Sequence, residues 1–149
     1  MDYLHKELTE KIISCAFEVH NYLGYGFAEK VYENAFRMEL EQQGFQVIQQ
    51  KALTVTYKDI VVGEYIADLI VNDLVIIEVK AIKNIDQAHE AQLMNYLKAT
   101  GIKLGLIINF GTRVNIKRIF SENLCASVFI CGKNSVKSVA KNPCQSVGS

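Results

Sequence analysis

Residues 66–80, IADLIVNDLVIIEVK, contain two apolar stretches separated by the turn-forming pair Asn72-Asp73. The second stretch, 74–80, has five apolar residues in its first six positions. An apolar run this short and this continuous is typical of a strand that is covered on both faces. The chain is therefore expected to build a sheet whose central strands are buried under other elements on either side.

The rest of the chain supplies those covering elements. Apolar residues recur at three- and four-residue spacing in three segments, which predicts helices at 5–23, 28–43 and 85–100. Stretches rich in β-branched residues predict strands at 46–57, 60–71, 74–80, 104–110 and 113–120. The order α-α-β-β-β-α-β-β predicts an α/β (α+β) fold, a mixed β-sheet flanked by helices.

The 149 residues suit a single domain. We expect this domain to span 1–120 and a C-terminal extension to span 121–149. The extension is expected to be loose from about residue 132, where Ser, Lys and Asn recur with the only proline and without aromatic residues.

No stretch approaches 18 uncharged apolar residues, which argues against a membrane-spanning helix. The first eleven residues show no basic region followed by an apolar one, so no secretory signal is predicted. The cysteines lack the close pairs that zinc sites use, and they are expected to be reduced thiols: Cys15, Cys125, Cys131 and Cys144. We therefore expect a cytoplasmic protein without membrane partners.

The formal net charge of zero conceals two opposite halves. Residues 1–96 contain 15 acidic and 8 basic residues, for a net charge of −7. Residues 97–149 contain 8 basic residues and one acidic residue, Glu122, for a net charge of +7. Such asymmetry is compatible with an acidic site beside a basic binding surface, or with a chance segregation of solvated charges.

Three charged residues interrupt the apolar strands, namely Asp68, Glu78 and Lys80. Glu78 and Lys80 are two residues apart and point to the same face of one strand, while Asp68 lies on the neighbouring strand. Two carboxylates and a lysine suit Mg²⁺, which takes oxygen ligands and needs only one or two carboxylates. A buried salt bridge between Lys80 and either carboxylate is the alternative that the spacing leaves open, since an unpaired buried charge is costly.

The turn between these strands decides whether the two carboxylates can share a cation. A two-residue loop at Asn72-Asp73 would set Asp68 opposite Ile77, on the other face of the sheet from Glu78. A shared metal requires a register shift of one residue, which a three-residue loop or a β-bulge provides. We therefore predict one of these two features between Leu69 and Ile77.

The pattern D-x9-E-x-K, formed by Asp68, Glu78 and Lys80 ahead of a helix, resembles the PD-(D/E)XK nuclease superfamily. Within that helix Gln92 and Tyr96 spell Q-x-x-x-Y, which is similar to the additional motif of the lambda-exonuclease and RecB-like branch. Upstream, GFAEKVY at 26–32 spells G-x-x-E-x-x-Y, the string that names the GxxExxY proteins of the same superfamily. The resemblance runs from about residue 5 to 120 and implies a restriction-endonuclease-like fold.

The resemblance implies a catalytic role for each matching residue and Mg²⁺ as cofactor, with Mn²⁺ as a substitute. Asp68 and Glu78 are expected to be metal ligands, together with the backbone carbonyl of Val79. Lys80 is expected to be the catalytic lysine. Glu29 is expected to complete the metal site or to bind its water.

Helical spacing also bears on the Gln92–Tyr96 pair and on Glu29. Gln92 and Tyr96 share a helix face and are expected to support the active site or contact nucleic acid; a helix packed by Tyr96 with an exposed Gln92 is the alternative. Glu29 lies three residues before Tyr32 and seven before Phe36, which predicts the inward face of its helix. A first-turn glutamate favoured by the helix dipole is the alternative there.

A nuclease needs a surface for phosphates, and basic residues follow the active-site helix. Those expected to bind nucleic acid, with DNA favoured, are Lys98, Lys103, Arg113, Lys117 and Arg118. Counterion release at such a patch gives salt-dependent, sequence-independent binding; an ordinary solvated rim is the alternative.

The sequence thus predicts a Mg²⁺-dependent nuclease. The competing interpretations are a non-catalytic nucleic-acid-binding or regulatory module on a nuclease-like scaffold, and a partner protein that forms homo-oligomers through its sheet edge or its tail.

Overall fold

The structure is a computed structural model that describes residues 5–121 and 128–130. Over those residues the elements are α1 (Lys6–Leu23), α2 (Glu29–Gln42), β1 (Val47–Tyr57), β2 (Ile60–Val71), β3 (Val75–Lys80), α3 (Gln87–Thr100), β4 (Leu104–Phe110), β5 (Val114–Phe120) and β6 (Val128–Ile130). The predicted order is confirmed, and β6 is an additional strand. The tail expected from about residue 132 and three of the cysteines, Cys125, Cys131 and Cys144, lie outside the described residues.

The strands form one mixed sheet in the order β5-β4-β3-β2-β1-β6. β3 and β4 pair in parallel, and the chain passes between them through α3. The other neighbouring strands pair antiparallel, including β6 on the outer edge of β1. The fold is therefore the mixed sheet flanked by helices that the sequence predicts. No helix of the described segments is long and apolar enough to cross a membrane.

Two apolar clusters bury the sheet, one on each face. α1 and α2 pack on one face, where β3 contributes Val75, Ile77 and Val79. α3 packs on the other face, where β3 contributes Ile76. β3 is therefore covered on both sides, as its apolar sequence predicts. Cys15 is a buried free thiol in the first cluster.

The turn between β2 and β3 is a three-residue loop. Val71 pairs with Val75, which leaves residues 72–74 as the connection. Asn72 and Asp73 both take left-handed backbone conformations, with φ of 54° and 56°, which asparagine and aspartate tolerate better than most residues. This connection confirms the predicted one-residue shift, and it places Asp68 one residue beyond the Leu69–Ile77 pair, at the level of Glu78.

A methyl group at Gly105 tests how closely α3 packs on β4. A Cβ atom at this position would lie 2.8 Å from a methyl carbon of Leu93, which is fully buried. Because overpacking a core costs about 1–3 kcal/mol, we expect Gly105→Ala to lower the free energy of unfolding by that amount in urea denaturation. Gly63→Ala is the control, since its Cβ would meet Tyr65 no closer than 3.6 Å. Equal stability of the two variants would contradict this packing.

Candidate active site

Asp68 and Glu78 replace the backbone ladder at the point where β2 and β3 stop pairing. The last paired residues are Leu69 and Ile77. Beyond them, the N–H of Val79 donates to Asp68 Oδ2 at 2.9 Å, and the N–H of Asp68 makes a long contact of 3.5 Å with Glu78 Oε2. Each carboxylate thus meets the backbone of the other strand. The structure brings the two predicted acids together at one end of the sheet.

This position is electrostatically unfavourable for carboxylates. Glu78 is only 4% exposed, and burial, followed by the nearby charge of Asp68, raises its pKa to about 8. Burial also raises the pKa of Asp68, against the hydrogen bond from Val79, and the charge of Glu33 raises it further. The positive charge of Lys80 lowers the pKa of both acids without cancelling these shifts.

Lys80 is half-buried at the last position of β3, two residues after Glu78. It acts on both carboxylates through space, but across the described part of the chain it forms no ion pair with Asp68 or Glu78. The buried salt bridge that the spacing leaves open is therefore not formed. The ammonium group remains available to a ligand at this site.

Two residues that sequence reasoning missed, Glu33 and Gln50, complete the surroundings of Asp68. Glu33 is 4% exposed. Its Oε2 accepts hydrogen bonds from Gln49 Nε2 at 2.7 Å and Gln50 Nε2 at 2.8 Å, and it forms an ion pair with Lys30 at 3.3 Å. Gln50 Nε2 also lies 3.4 Å from Asp68 Oδ1, so it bridges the carboxylates of Glu33 and Asp68.

An irregularity in the sheet places Gln50 there. Gln50 has a left-handed φ of 56° in the middle of β1. Gln49 contacts α2, whereas Leu53, four residues later, packs in the α3 cluster, so β1 changes face between them. β2 changes face at the same level. Residues three apart on a regular strand point to opposite faces, yet Ala67 and Ile70 both pack in the α3 cluster. Such strain clusters at functional sites.

Glu29 does not take the inward position that its spacing predicts. It is exposed at the first residue of α2, where its Oε2 accepts a hydrogen bond from the N–H of Ala81 at 3.3 Å. The expectation was wrong because α2 begins at the rim of the site, and the buried carboxylate is Glu33, one turn later. Glu29 nevertheless lies beside the residue that follows Lys80, and its charge raises the pKa of Asp68.

The remaining residues of the G-x-x-E-x-x-Y string fix the loop between α1 and α2. Gly26 has a φ of 118°, which side chains rarely permit. The Tyr32 hydroxyl donates to the carbonyl of Gly24 at 2.6 Å and accepts from the N–H of Phe27 at 3.3 Å. Its ring stacks on Phe110 at the end of β4, with centroids 4.8 Å apart. The string therefore attaches this loop to the same end of the sheet as Lys80.

Gln92 and Tyr96 form a pair on α3. Gln92 Nε2 donates to the Tyr96 hydroxyl at 2.8 Å, and Gln92 is half-buried rather than exposed. Burial, followed by the charge of Glu78, raises the pKa of Tyr96 to about 12. The pair thus faces the carboxylates from the α3 side of the sheet.

A third residue not selected from the sequence, Asn109, holds the segment that follows Lys80. Asn109 is fully buried on β4, where it pairs with Lys80. Its side chain accepts from the N–H of Ile82 at 2.9 Å and donates to the carbonyl of Ile82 at 2.8 Å. A lone asparagine in a buried strand is the signal that could have identified it, since such a side chain needs hydrogen-bond partners.

The five basic residues expected to bind nucleic acid do not form one surface. β4 runs parallel to β3, so Lys103, just before β4, lies at the opposite end of these strands from Lys80. Lys98 lies in the last turn of α3, close to the same opposite end. Arg113 is exposed in the turn after β4, at the end that carries Lys80.

The last two basic residues lie on opposite faces of β5. Lys117 pairs with Glu90 of α3 at 3.4 Å. Arg118 is the next residue along the strand and shares its face with Ile116, which packs against the α1 and α2 cluster. Lys117 is level with Glu78 across β4, whereas Arg118, one residue along, lies on the opposite face of β5.

The donor set fits a hard cation that keeps most of its water. Buried carboxylates with raised pKa values gain from a divalent cation, and their oxygens are the ligands that Mg²⁺ prefers. Among the described residues, no three His, Cys, Asp or Glu side chains converge as a ready-made metal site. Water would therefore supply the remaining ligands, as is usual for Mg²⁺.

We expect the stability of the metal-free protein to depend on pH through Glu78. Its pKa rises on folding from an ordinary 4.5 to about 8, so the folded protein binds this proton more tightly. The stabilisation is full below about pH 4.5 and is lost as pH rises to about 8. In EDTA the free energy of unfolding should fall by roughly 2–4 kcal/mol across that range.

Glu78→Gln should remove most of this fall, whereas Glu64→Gln, at an exposed position on β2, should retain it. Urea denaturation at several pH values measures the effect. If the free energy of unfolding varied with pH in the same way in wild type and Glu78→Gln, the burial assigned to Glu78 would be refuted.

Comparison with known proteins bears on this arrangement. A family model described as the PD-(D/E)XK nuclease superfamily matches residues 6–119. The match contains all three helices of the described segments, together with Asp68, Glu78 and Lys80. No curated protein and no solved structure matches the chain.

Proposed function

The chain belongs to the PD-(D/E)XK nuclease superfamily, and from that premise we propose that it is a Mg²⁺-dependent nuclease that hydrolyses phosphodiester bonds in DNA. The observation that carries the proposal is the meeting of Asp68 and Glu78 at the end of the β2–β3 ladder, with Lys80 on the same strand as Glu78. The mixed sheet flanked by helices is the restriction-endonuclease-like scaffold on which this activity is expected.

Each residue has a distinct part in this proposal. Asp68 and Glu78 would hold the cation, with the Val79 carbonyl as a further ligand and Glu29 at the rim as a ligand or a partner of bound water. A bound divalent cation polarises a phosphoryl oxygen and generates a stronger water nucleophile. The Lys80 ammonium places a positive charge where negative charge develops on the phosphoryl group.

Four polar residues surround Asp68 and Glu78. Gln50 links Glu33 to Asp68, and this restrains the Asp68 carboxylate from the β1 side. Tyr96, hydrogen-bonded to Gln92, lies on the α3 side of the site, and the charge of Glu78 contributes to its raised pKa. We assign these four as positioning residues.

The finer relationship that we propose is with the GxxExxY proteins and the lambda-exonuclease and RecB-like branch. The first assignment is supported by the loop that Gly26 and Tyr32 fix, with Glu29 against Ala81. The second is supported by the contact between Gln92 and Tyr96.

A non-catalytic nucleic-acid-binding module is the second candidate function. One observation favours it, namely that no three ligand side chains converge among the described residues. Binding of nucleic acid without cutting, and without an effect of metal, would support this alternative.

Cleavage assays test the nuclease proposal. Plasmid, linear duplex and single-stranded DNA are incubated with the protein and Mg²⁺ or Mn²⁺. Lys80→Ala should lower the cleavage rate at least ~100-fold, because a charge that stabilises the transition state is lost. Lys11→Ala, which removes an exposed lysine on α1, should cleave like wild type. Equal rates for Lys80→Ala and wild type would exclude the assigned role.

Metal binding can be tested without activity. At a Mg²⁺ or Mn²⁺ concentration 100-fold above its dissociation constant, binding should add about 2.7 kcal/mol to the free energy of unfolding. Asp68→Asn should abolish this gain, whereas Asp59→Asn in the β1–β2 turn should retain it. Thermal and urea melts with metal or EDTA provide the measurement. A metal effect of the same size in Asp68→Asn would place the cation elsewhere.

A further inference from the structure

Three aromatic residues are exposed within six positions around the α1–α2 loop. Tyr22 is 88% exposed, Tyr25 is 66% exposed and Phe27 is 48% exposed. Aromatic rings usually bury most of their surface, because they lose more by contact with water than smaller side chains do. Three such rings together therefore indicate a surface that meets a ligand.

The loop that carries them lies at the end of the sheet that holds the candidate active site. Glu29, two residues after Phe27, contacts the N–H of Ala81, the residue after Lys80. At the other side of the loop, His20 Nε2 lies 2.8 Å from the carbonyl of Gly111, which follows β4. The loop that carries the exposed rings thus contacts the segments that follow β3 and β4, at the end of the sheet that holds Lys80.

The loop backbone is held rather than free. Tyr32 is fully buried and hydrogen-bonds the loop at both Gly24 and Phe27. The Phe27 ring packs edge-on against Tyr32, with centroids 6.1 Å apart, and so keeps a defined direction while half of it remains exposed. A ring held in this way loses little entropy when a flat ligand stacks on it.

Two exposed cationic side chains lie at the same end of the sheet. Lys83 is exposed in the segment after β3, and Arg113 is exposed in the turn after β4. These two turns approach each other, because a Cβ atom at Gly111 would lie 3.2 Å from the carbonyl of Ile82. Aromatic rings beside a few cations are the combination by which proteins bind single-stranded nucleic acid: bases stack on the rings, and cations neutralise the backbone.

We propose that Tyr25 and Phe27 stack on unpaired bases of the nucleic acid, so that this site takes single strands or frayed ends rather than intact duplex. The proposal rests on the proposed nuclease function and names the substrate class of the same site. Intact duplex hides the faces of its bases, so these rings would gain nothing from it. The dispersal of the five basic residues also removes the continuous cationic surface that a duplex backbone would need.

Binding, measured apart from cleavage, tests this inference. The full chain carrying Lys80→Ala is titrated in EDTA against a short fluorescein-labelled single strand and its duplex, with fluorescence anisotropy as the signal. On this background, Tyr25→Ala and Phe27→Ala should each weaken single-strand binding roughly 5- to 100-fold. Both should leave duplex binding unchanged.

Two further variants separate stacking from altered folding. Tyr25→Phe retains the ring and should bind like the parent. Phe120→Ala removes a ring that is 43% exposed at the opposite end of the sheet, and it should also bind like the parent. Unchanged single-strand binding in Tyr25→Ala and Phe27→Ala would overturn the inference, as would an equal loss for duplex.

The aromatic loop could instead hold a second copy of the chain. A fall in molar mass by light scattering in Tyr25→Ala would show this and would likewise overturn the stacking assignment. Because no turnover is needed, ring-dependent binding by a protein that does not cut would leave this inference standing while the nuclease proposal fails. If the protein cut duplex and Tyr25→Ala retained full activity, the nuclease proposal would stand and this inference would fail.

Discussion

The candidate site depends on one exchange of hydrogen bonds at the end of the β2–β3 ladder. There the Asp68 carboxylate accepts the N–H of Val79, and the Glu78 carboxylate approaches the N–H of Asp68. Side-chain oxygens thus take over from carbonyl oxygens, and the strands can separate without leaving these N–H groups unpaired. The exchange is possible only because a three-residue loop sets the two acids at the same level.

Holding two carboxylates together at a buried position lowers the stability of the folded protein. Two carboxylates share a partly dehydrated position with Glu33 nearby, so charging them is unfavourable. The core below them is large, with fully buried apolar residues from β3 and β4 packed against both helical layers. Excess apolar burial in that core permits a strained, charged site at its edge, as is common where stability is exchanged for function.

Much of this could be predicted because the apolar periodicity is strong. Predicted helix and strand ends agree with the structure to within one or two residues. The one-residue register shift followed from requiring Asp68 and Glu78 to share a face, and of the two features that could provide it, a three-residue loop or a β-bulge, the structure has the loop. Gln50 could not be predicted, because its position depends on a left-handed residue that interrupts β1. Glu33 lies on the same helical stripe as Phe36, and this spacing could have identified it, although it is not the glutamate of the G-x-x-E-x-x-Y string.

The basic residues show a different limit of sequence reasoning. Lys117 and Arg118 are neighbours in the chain, yet strand alternation places them on opposite faces of β5. Lys103 and Arg113 flank the same strand, and its length separates them. Proximity in sequence therefore overstated their proximity in space, whereas the α1–α2 loop, distant in sequence from Lys80, contacts the residue that follows it through Glu29.

The central claim is that Asp68 and Glu78 hold one divalent cation together. Anomalous diffraction from crystals grown with Mn²⁺ tests it most directly, since the signal locates the metal independently of activity. The account predicts one peak within coordination distance of carboxylate oxygens of both Asp68 and Glu78, and no such peak in Asp68→Asn crystals. A peak that contacts neither carboxylate, or a wild-type site left without a peak at saturating Mn²⁺, would contradict it.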